Sequence, residues 1–238
     1  MTRKRLFTSD TLDAVAYIVL LLAVASWVAI LCVKQLTYGL EFDESYLLGV
    51  ANNLASGSGY VDDGVTFLST SEPFSPVIST GPTVLIPVSL TWWIFDGDLL
   101  AIRFTMLIFF GILLFSVWRL FGNLSGRWAS LAAVGGLALV PTVAPDLQNT
   151  SLMPGRVVGE LPALALLLLA GLLLSKHRYF WSGLCLGLML LSKLTFAIPA
   201  AALVATFFVF ELLNRHIGPW QFLLRNFCGV AAPLIAFE

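Results

Sequence analysis

The chain has 238 residues, of which 58% are hydrophobic and only 11% are charged, and its formal net charge is −1. Soluble domains are about half apolar and about a quarter charged, so this composition, with a mean hydropathy of +0.91, argues against a soluble domain. The sequence contains no basic patch for nucleic acid, and the three widely spaced cysteines argue against a disulfide framework or a zinc site. The predicted fold class is all-α, a polytopic transmembrane helical bundle.

The first predicted element is a membrane span. After Arg3-Lys4-Arg5 the chain is uncharged from Ala14 to Val33, which is 20 residues and enough to cross a hydrocarbon core of about 30 Å. This run is longer than the apolar region of a cleaved signal peptide, and Leu31 before Cys32 does not suit a lipoprotein cleavage site. An uncleaved span with its basic end in the cytoplasm is therefore expected.

Later apolar runs predict six more spans in a single transmembrane domain, residues 1–238. The seven predicted spans lie at about 12–33, 99–118, 128–145, 161–175, 179–193, 194–212 and 222–238. The last run is still apolar where the chain stops at Glu238, so a fragment of a longer protein or an incomplete final helix is expected.

One further apolar run, Thr83–Phe95, is ambiguous. Its 13 residues span about 20 Å, which is short for a crossing. If it does not cross, nine of the 13 basic residues fall on one side, as the positive-inside rule expects; if it crosses, the basic connections face outward. The pattern favours an outer loop at 34–98 that contains eight of the 14 acidic residues.

That outer loop is predicted to contain two interfacial helices. Ser45–Ala55 has apolar and small residues at helical spacing and is ended by Gly57-Ser58-Gly59. Thr83–Phe95 places Trp92 and Trp93 at headgroup depth. The same topology, in which Thr83–Phe95 does not cross the membrane, places a second outer loop at about 141–160.

Charged residues near the outer surface are the candidate site residues, because ionisable groups at membrane depth are unfavourable unless they serve a function. The first loop opens with an acid pair and an aromatic residue, and the second loop and a later junction supply further charges. The candidates are Asp43, Glu44, Tyr46, Asp146, Arg156, Glu160 and Lys193.

The order of these motifs resembles the membrane half of GT-C glycosyltransferases, the superfamily of protein O-mannosyltransferases and aminoarabinose transferases. The resemblance covers nearly the whole chain, with short, loosely spaced motifs. After the basic-headed span these motifs are Asp43-Glu44-Ser45-Tyr46, Ser79-Thr80-Gly81-Pro82, Phe95-Asp96-Gly97, Arg103, Arg119-Leu120-Phe121-Gly122, Gly155-Arg156-Val157-Val158-Gly159-Glu160 and Leu191-Ser192-Lys193-Leu194-Thr195. The family's frequent His-Pro-Pro is replaced by Glu72-Pro73-Phe74 or Ser75-Pro76, which leaves the acceptor class open.

The resemblance implies an inverting transfer of a sugar from a polyprenyl-phosphate donor to a hydroxyl of a lipid, glycan or protein, at the outer side of a bacterial inner (cell) membrane. It implies Asp43 as the general base, with Glu44 as its support and Glu160 as a partner. The leaving phosphate needs a cation, for which Arg156 and Lys193 are the candidates. Tyr46 and Asp146 complete the expected substrate-binding set. A divalent ion between the acids of the two loops is conceivable, but no ligand spacing demands one, so no metal or cofactor is predicted.

Each of these charged residues can also have a purely structural explanation. Asp43 and Glu44 can be solvated loop acids, and Glu160 can be a helix N-terminal acid stabilised by the helix dipole. Arg103 and Lys193 can extend to lipid headgroups. Two other functions remain open, a transporter or flippase of a lipid-linked substrate and a non-catalytic membrane subunit with the same scaffold.

Overall fold

Helices make up nearly all of the computed structural model, which describes residues 9–62, 72–75, 80–143, 153–214 and 218–237. The described chain contains nine α-helices and one 3₁₀ turn at Leu194–Phe196. The α-helices are α1 (Ser9–Leu36), α2 (Phe42–Ala55), α3 (Pro82–Ile94), α4 (Leu99–Ser125), α5 (Arg127–Val143), α6 (Glu160–Leu174), α7 (Tyr179–Leu190), α8 (Ala197–Asn214) and α9 (Pro219–Ile235). The all-helical prediction is confirmed.

Strand structure is limited to a single short pairing. β1 (Val61–Asp62) and β2 (Glu72–Pro73) pair antiparallel, and the chain after β2 brings Phe74 against the ring of Tyr60, with 5.2 Å between the ring centroids. This pairing holds the chain that follows α2 close to the α2 helix.

Three helices are long and apolar enough to cross a membrane. They cover Asp10–Leu36, Leu99–Ser125 and Leu194–Asn214, with 27, 27 and 21 residues. The other predicted spans are shorter helices, of 17 residues in α5 and α9, 15 in α6 and 12 in α7. The multi-pass membrane class is therefore confirmed, and the set of seven spans with its boundaries stays a prediction.

Local chemistry fixes where α4 begins and ends. The carboxylate of Asp98 accepts hydrogen bonds from the backbone N–H groups of Leu100 at 2.7 Å and Ala101 at 3.2 Å, which caps the first turn. At the other end Gly126 adopts a φ of 83°, a backbone conformation that favours glycine, and α5 begins one residue later. The helix runs seven residues beyond the end expected from sequence, so Arg119 lies inside α4.

The predicted interfacial helices α2 and α3 form one layer against the first turns of α4. Their shared core contains the apolar side chains of Leu47, Val84, Val88, Ile102 and Met106, all at most 2% exposed. Because α3 turns directly into α4 and begins beside the C-terminal end of α7, both of its ends lie at the end of the bundle where α6 begins. This position supports the non-crossing interpretation of Thr83–Phe95, which stays a prediction.

The packing of the last two helices differs sharply. α9 lies tightly on α7 because glycines allow close backbone contact; a Cβ on Gly183 would lie 2.1 Å from the carbonyl oxygen of Asn226. α8 touches the bundle at few points, and most of its side chains are exposed. Open space therefore lies between α8 and the helices behind it.

Candidate functional site

The acid stretch that follows α1 lies in the first turn of α2. Glu41 is the residue before the helix, and Asp43 and Glu44 are its second and third residues, so α2 begins three residues earlier than the predicted Ser45. Successive helical residues point about 100° apart. As a result Asp43 is exposed, while Glu44 faces the protein interior and is 1% exposed.

Glu44 forms a buried, two-pronged ion pair with Arg103 of α4. The Nε of Arg103 donates to one carboxylate oxygen at 3.1 Å, and a terminal nitrogen donates to the other at 2.8 Å. The same guanidinium donates to backbone carbonyls at and after the end of α1, those of Gln35 at 3.2 Å, Leu36 at 3.3 Å, Tyr38 at 2.5 Å and Gly39 at 3.3 Å. One side chain therefore joins α1, α2 and α4, and it does not extend to lipid headgroups.

The inward position of Glu44 has a signal in the sequence. Glu44 precedes Leu47, Leu48 and Ala51 by three, four and seven residues, which places all four on one helical face. Those three apolar side chains are buried. Arg103 lies at the head of a predicted span, but its partner Glu44 lies 59 residues away in sequence, and no local pattern joins them.

A second ion pair joins the two outer loops that the sequence predicts. Arg156 pairs with Glu41, an acid to which no role was assigned. The loop around Gly155 lies directly against Arg103 and the end of α1, since a Cβ on Gly155 would be 3.8 Å from the Cβ atoms of Arg103 and Gln35. Arg156 is nearly buried, and burial lowers its pKa from the usual arginine value.

A third ion pair connects Lys193 and Glu160. Their side chains approach to 3.0 Å and remain 19% and 27% exposed. Glu160 is the first residue of α6, and Lys193 follows the end of α7. The pair is thus reachable from outside, in contrast to the pair of Arg103 and Glu44.

Close backbone packing fixes the position of Lys193. The hydroxyl of Ser192 donates to the carbonyl of Gly159 at 2.9 Å, and the N–H of Gly81 donates to the carbonyl of Ser192 at 2.9 Å. Neither glycine tolerates a side chain, because a Cβ on Gly81 would lie 2.0 Å from the carbonyl oxygen of Leu191 and one on Gly159 would lie 2.6 Å from that of Ser192. Three motifs that are far apart in sequence meet here.

Tyr46 lies on the side of α2 that faces away from Glu44. Its ring packs on Phe74 with 5.8 Å between centroids, and its hydroxyl is hydrogen-bonded to the carboxylate of Asp62. Burial, followed by the bond to Asp62 and that negative charge, raises the pKa of Tyr46 to about 12.

The structure brings most of the predicted site residues to one end of the bundle. Asp43 and Glu44 lie on α2, while Arg156 and Glu160 precede and begin α6 beside Lys193. Asp146 lies outside the described residues. Within the part of the chain that the structure describes, no cluster of three or more metal-ligating side chains is present.

Comparison with known protein families identifies a match over most of the chain. The sequence model of the family described as dolichyl-phosphate-mannose-protein mannosyltransferase matches residues 79–235. Neither curated proteins nor solved structures yielded a match. The matched region contains the junction of Gly81, Gly159 and Ser192 together with Arg103, Arg156 and Lys193.

Proposed function

The chain belongs to the dolichyl-phosphate-mannose-protein mannosyltransferase family, and on that premise we propose that it transfers a sugar from a polyprenyl-phosphate donor to a hydroxyl acceptor at the outer face of the membrane. Family membership makes the protein a multi-pass membrane glycosyltransferase of the GT-C type. The proposal adds the side of the membrane, inversion at the sugar and the residues that act. It also favours an enzyme over a flippase or a non-catalytic subunit.

The exposure of Asp43 beside the fixed carboxylate of Glu44 carries the assignment of the base. A general base must be reachable by the acceptor hydroxyl, and Asp43 is exposed at the bundle end that holds the cations. Glu44 is engaged by Arg103 and is 1% exposed, so it supports the turn and does not take a proton itself. Of the two adjacent acids, Asp43 is therefore the base.

The reaction needs one displacement. The acceptor oxygen attacks the anomeric carbon, its proton passes to Asp43, and the bond between that carbon and the phosphate oxygen breaks. The polyprenyl phosphate leaves with the bonding electrons. Attack from the side opposite to the leaving group inverts the anomeric centre, and no covalent enzyme intermediate forms.

Lys193 and Arg156 are the proposed cations for the phosphate. Each is paired with a carboxylate, Glu160 and Glu41, so each cation is held in place at a defined position. A phosphate can take over the charge-assisted hydrogen bonds of a partly exposed pair more easily than those of a buried one. Lys193 is the more exposed of the two, and we assign it the closer contact with the leaving group.

The test of the base compares Asp43→Asn with Asp96→Asn. Asp96 is another exposed acid of the same predicted outer loop, with a φ of 50° that asparagine also adopts readily. Loss of general-base catalysis lowers rates by about 10²–10⁴-fold. We expect a fall of that size in radiolabelled sugar transfer for Asp43→Asn alone, with unchanged thermal unfolding for both variants. Full activity in Asp43→Asn overturns the assignment.

The predicted orientation has a separate test with matched serine positions. Ser58 follows α2 and Ser125 ends α4, and both are exposed. With the three native cysteines replaced by alanine, we expect Ser58→Cys to react with an impermeant thiol reagent applied from outside, and Ser125→Cys to react only after permeabilisation. The reverse pattern places Asp43 on the cytoplasmic side and contradicts the proposal.

A further inference from the structure

An apolar groove opens at the end of the bundle away from the proposed active site. It lies between α8 and the C-terminal ends of α4 and α6, where Leu124, Ser175, Thr206 and Phe207 line two adjoining open spaces of about 420 and 480 Å³. The α6 helix begins at the active-site end and has 15 residues, which separates its two ends by about 22 Å. The groove is therefore distinct from the proposed active site.

A buried carboxylate lies at the mouth of this groove. Glu211 of α8 is 2% exposed, and its Oε1 accepts a hydrogen bond from the Tyr179 hydroxyl at 3.0 Å and lies 3.0 Å from Nδ1 of His177. Its Oε2 is also buried and has no hydrogen-bond partner among the described residues. A buried carboxylate oxygen without a donor is unfavourable, since it loses water and gains nothing in exchange.

Glu211 shares the smaller space with His177, Ser175 and three apolar or weakly polar side chains of α8. The larger space continues from the shared residues towards Pro199 and is lined almost wholly by apolar side chains. From Pro199 to Glu211 the groove follows 12 residues of helix, about 18 Å. A ligand that fills it has one polar end with hydrogen-bond donors and one long apolar part.

We propose that this groove binds one membrane phospholipid with a primary-amine headgroup, whose acyl chain lies along α8 and whose ammonium group donates to Oε2 of Glu211 once a rotation of the carboxylate brings this atom to the groove. A primary ammonium carries three donors and a positive charge, which match the buried carboxylate oxygen. A trimethylated ammonium has the charge but no donor. The site thus discriminates between two common headgroups by the hydrogen bonds that the carboxylate of Glu211 can accept.

The charges around the mouth suit the other half of such a headgroup. Lys176 and Arg178 flank His177 in the exposed turn between α6 and α7. Basic side chains at the membrane surface attract lipid phosphates. The phosphate of the lipid lies beside this turn when its amine reaches Glu211, so both charges of the headgroup have opposite partners.

The test uses the full chain in nanodiscs that contain equal amounts of phosphatidylethanolamine and phosphatidylcholine with identical acyl chains. Native mass spectrometry after release measures the lipid that stays bound. A charge-assisted hydrogen bond supports a preference of about tenfold for phosphatidylethanolamine. Glu211→Gln keeps the size and the hydrogen bond from Tyr179, and we expect it to bind both lipids equally.

Two matched controls separate the headgroup from the groove. Asp13→Asn removes an exposed acid near the start of α1, and we expect it to keep the preference. Ala202→Phe fills the groove and should lose both lipids, whereas Ala201→Phe, one residue earlier on α8 and outside the lining, should keep them. Size-exclusion profiles check that each variant is folded.

Three results overturn the proposal. The first is equal binding of both lipids by the wild-type chain, and the second is an undiminished preference in Glu211→Gln. The third is displacement of the bound lipid by soluble glycerophosphoethanolamine at equal concentration, which shows that the acyl chain contributes nothing. Sugar transfer activity is not needed for any of these readouts, so failure of the proposed active site leaves this test intact.

Discussion

Two junctions at the same end of the bundle are built from the same kinds of residue and differ in their burial. The Arg103 junction joins α1, α2 and α4, and its ion pair with Glu44 is 2% and 1% exposed. The Lys193 junction joins α3, α6 and α7, and its ion pair with Glu160 is 19% and 27% exposed. Arg103 donates hydrogen bonds to both carboxylate oxygens of Glu44 and to backbone carbonyls. Lys193 contacts one carboxylate oxygen of Glu160.

This difference separates a structural ion pair from an exchangeable one. A buried pair with all donors satisfied is lost only with large destabilisation, because its removal leaves an uncompensated charge inside the protein. An exposed pair contributes little to stability and can be replaced by another anion. Changes at Arg103 are therefore expected to destabilise the protein strongly, and changes at Lys193 are expected to alter catalysis.

The largest expected effect follows from breaking the Arg103 junction. Arg103→Leu leaves Glu44 buried without a partner and frees the carbonyls after α1, so the free energy of unfolding should fall by about 3–5 kcal/mol. Thermal or denaturant unfolding in detergent measures this loss. Activity should disappear with it, because Asp43 loses the turn that positions it.

A double-mutant cycle sharpens this result. Glu44→Leu alone should also destabilise, and Glu44→Leu with Arg103→Leu should lose less than the sum of the two single changes, because no buried charge is left. Full additivity of the two changes contradicts the described pairing.

Breaking the Lys193 junction should have a smaller and different effect. Lys193→Gln removes the cation that we propose for the leaving phosphate, and loss of one such transition-state contact lowers kcat by about 10²-fold. The unfolding free energy should change by less than about 1 kcal/mol, because the ion pair is partly exposed. Donor-dependent kinetics and unfolding are measured on the same preparation.

Lys34→Gln is the matched control for Lys193. It removes an exposed lysine near the end of α1, at the same end of the bundle, and should leave both transfer and unfolding unchanged. A stability loss in Lys193→Gln as large as that of Arg103→Leu erases the distinction between the two junctions.

The smallest expected effect is at Tyr46, two residues after Glu44 on α2. Tyr46→Phe removes the hydrogen bond to Asp62 and should lower the unfolding free energy by about 1 kcal/mol. The folded pKa of about 12 lies above the reference value of 10.0, so this stabilisation is fully present below pH 10 and is lost as the pH rises towards 12.

Unfolding of the wild type and Tyr46→Phe between pH 8 and pH 12 checks this dependence. The difference between the two proteins should stay constant up to about pH 10 and shrink above it. A difference that grows above pH 10 contradicts the described bond, because it requires the ionised tyrosine to be the stabilised form.

Much of the fold was accessible from sequence because apolar periodicity and charge position are local properties. Helices at Thr83–Phe95 and after Ser45 were expected, and α3 and α2 are found there. The boundaries were less accurate, since α2 begins at Phe42 and α4 continues to Ser125. A helix end depends on whether the next turn finds partners, and those partners come from other parts of the chain.

The candidate site was only partly accessible for the same reason. Asp43 and Glu44 form one acid pair in the sequence, although the face shared by Glu44 and Leu47 predicts that they point in different directions. Glu41 was not assigned a role, and its pairing with Arg156 becomes visible only when both outer loops lie together. The roles of Asp43, Glu160 and Lys193 stay predictions.

By itself the sequence determined that this protein is a helical membrane protein, because hydrophobic length and composition act along the chain. The tertiary structure decided which acid meets which base. Glu44 lies 59 residues from Arg103, and an ion pair forms through space, at an orientation set by helix packing. That packing also decided which of two adjacent carboxylates is buried and which is exposed.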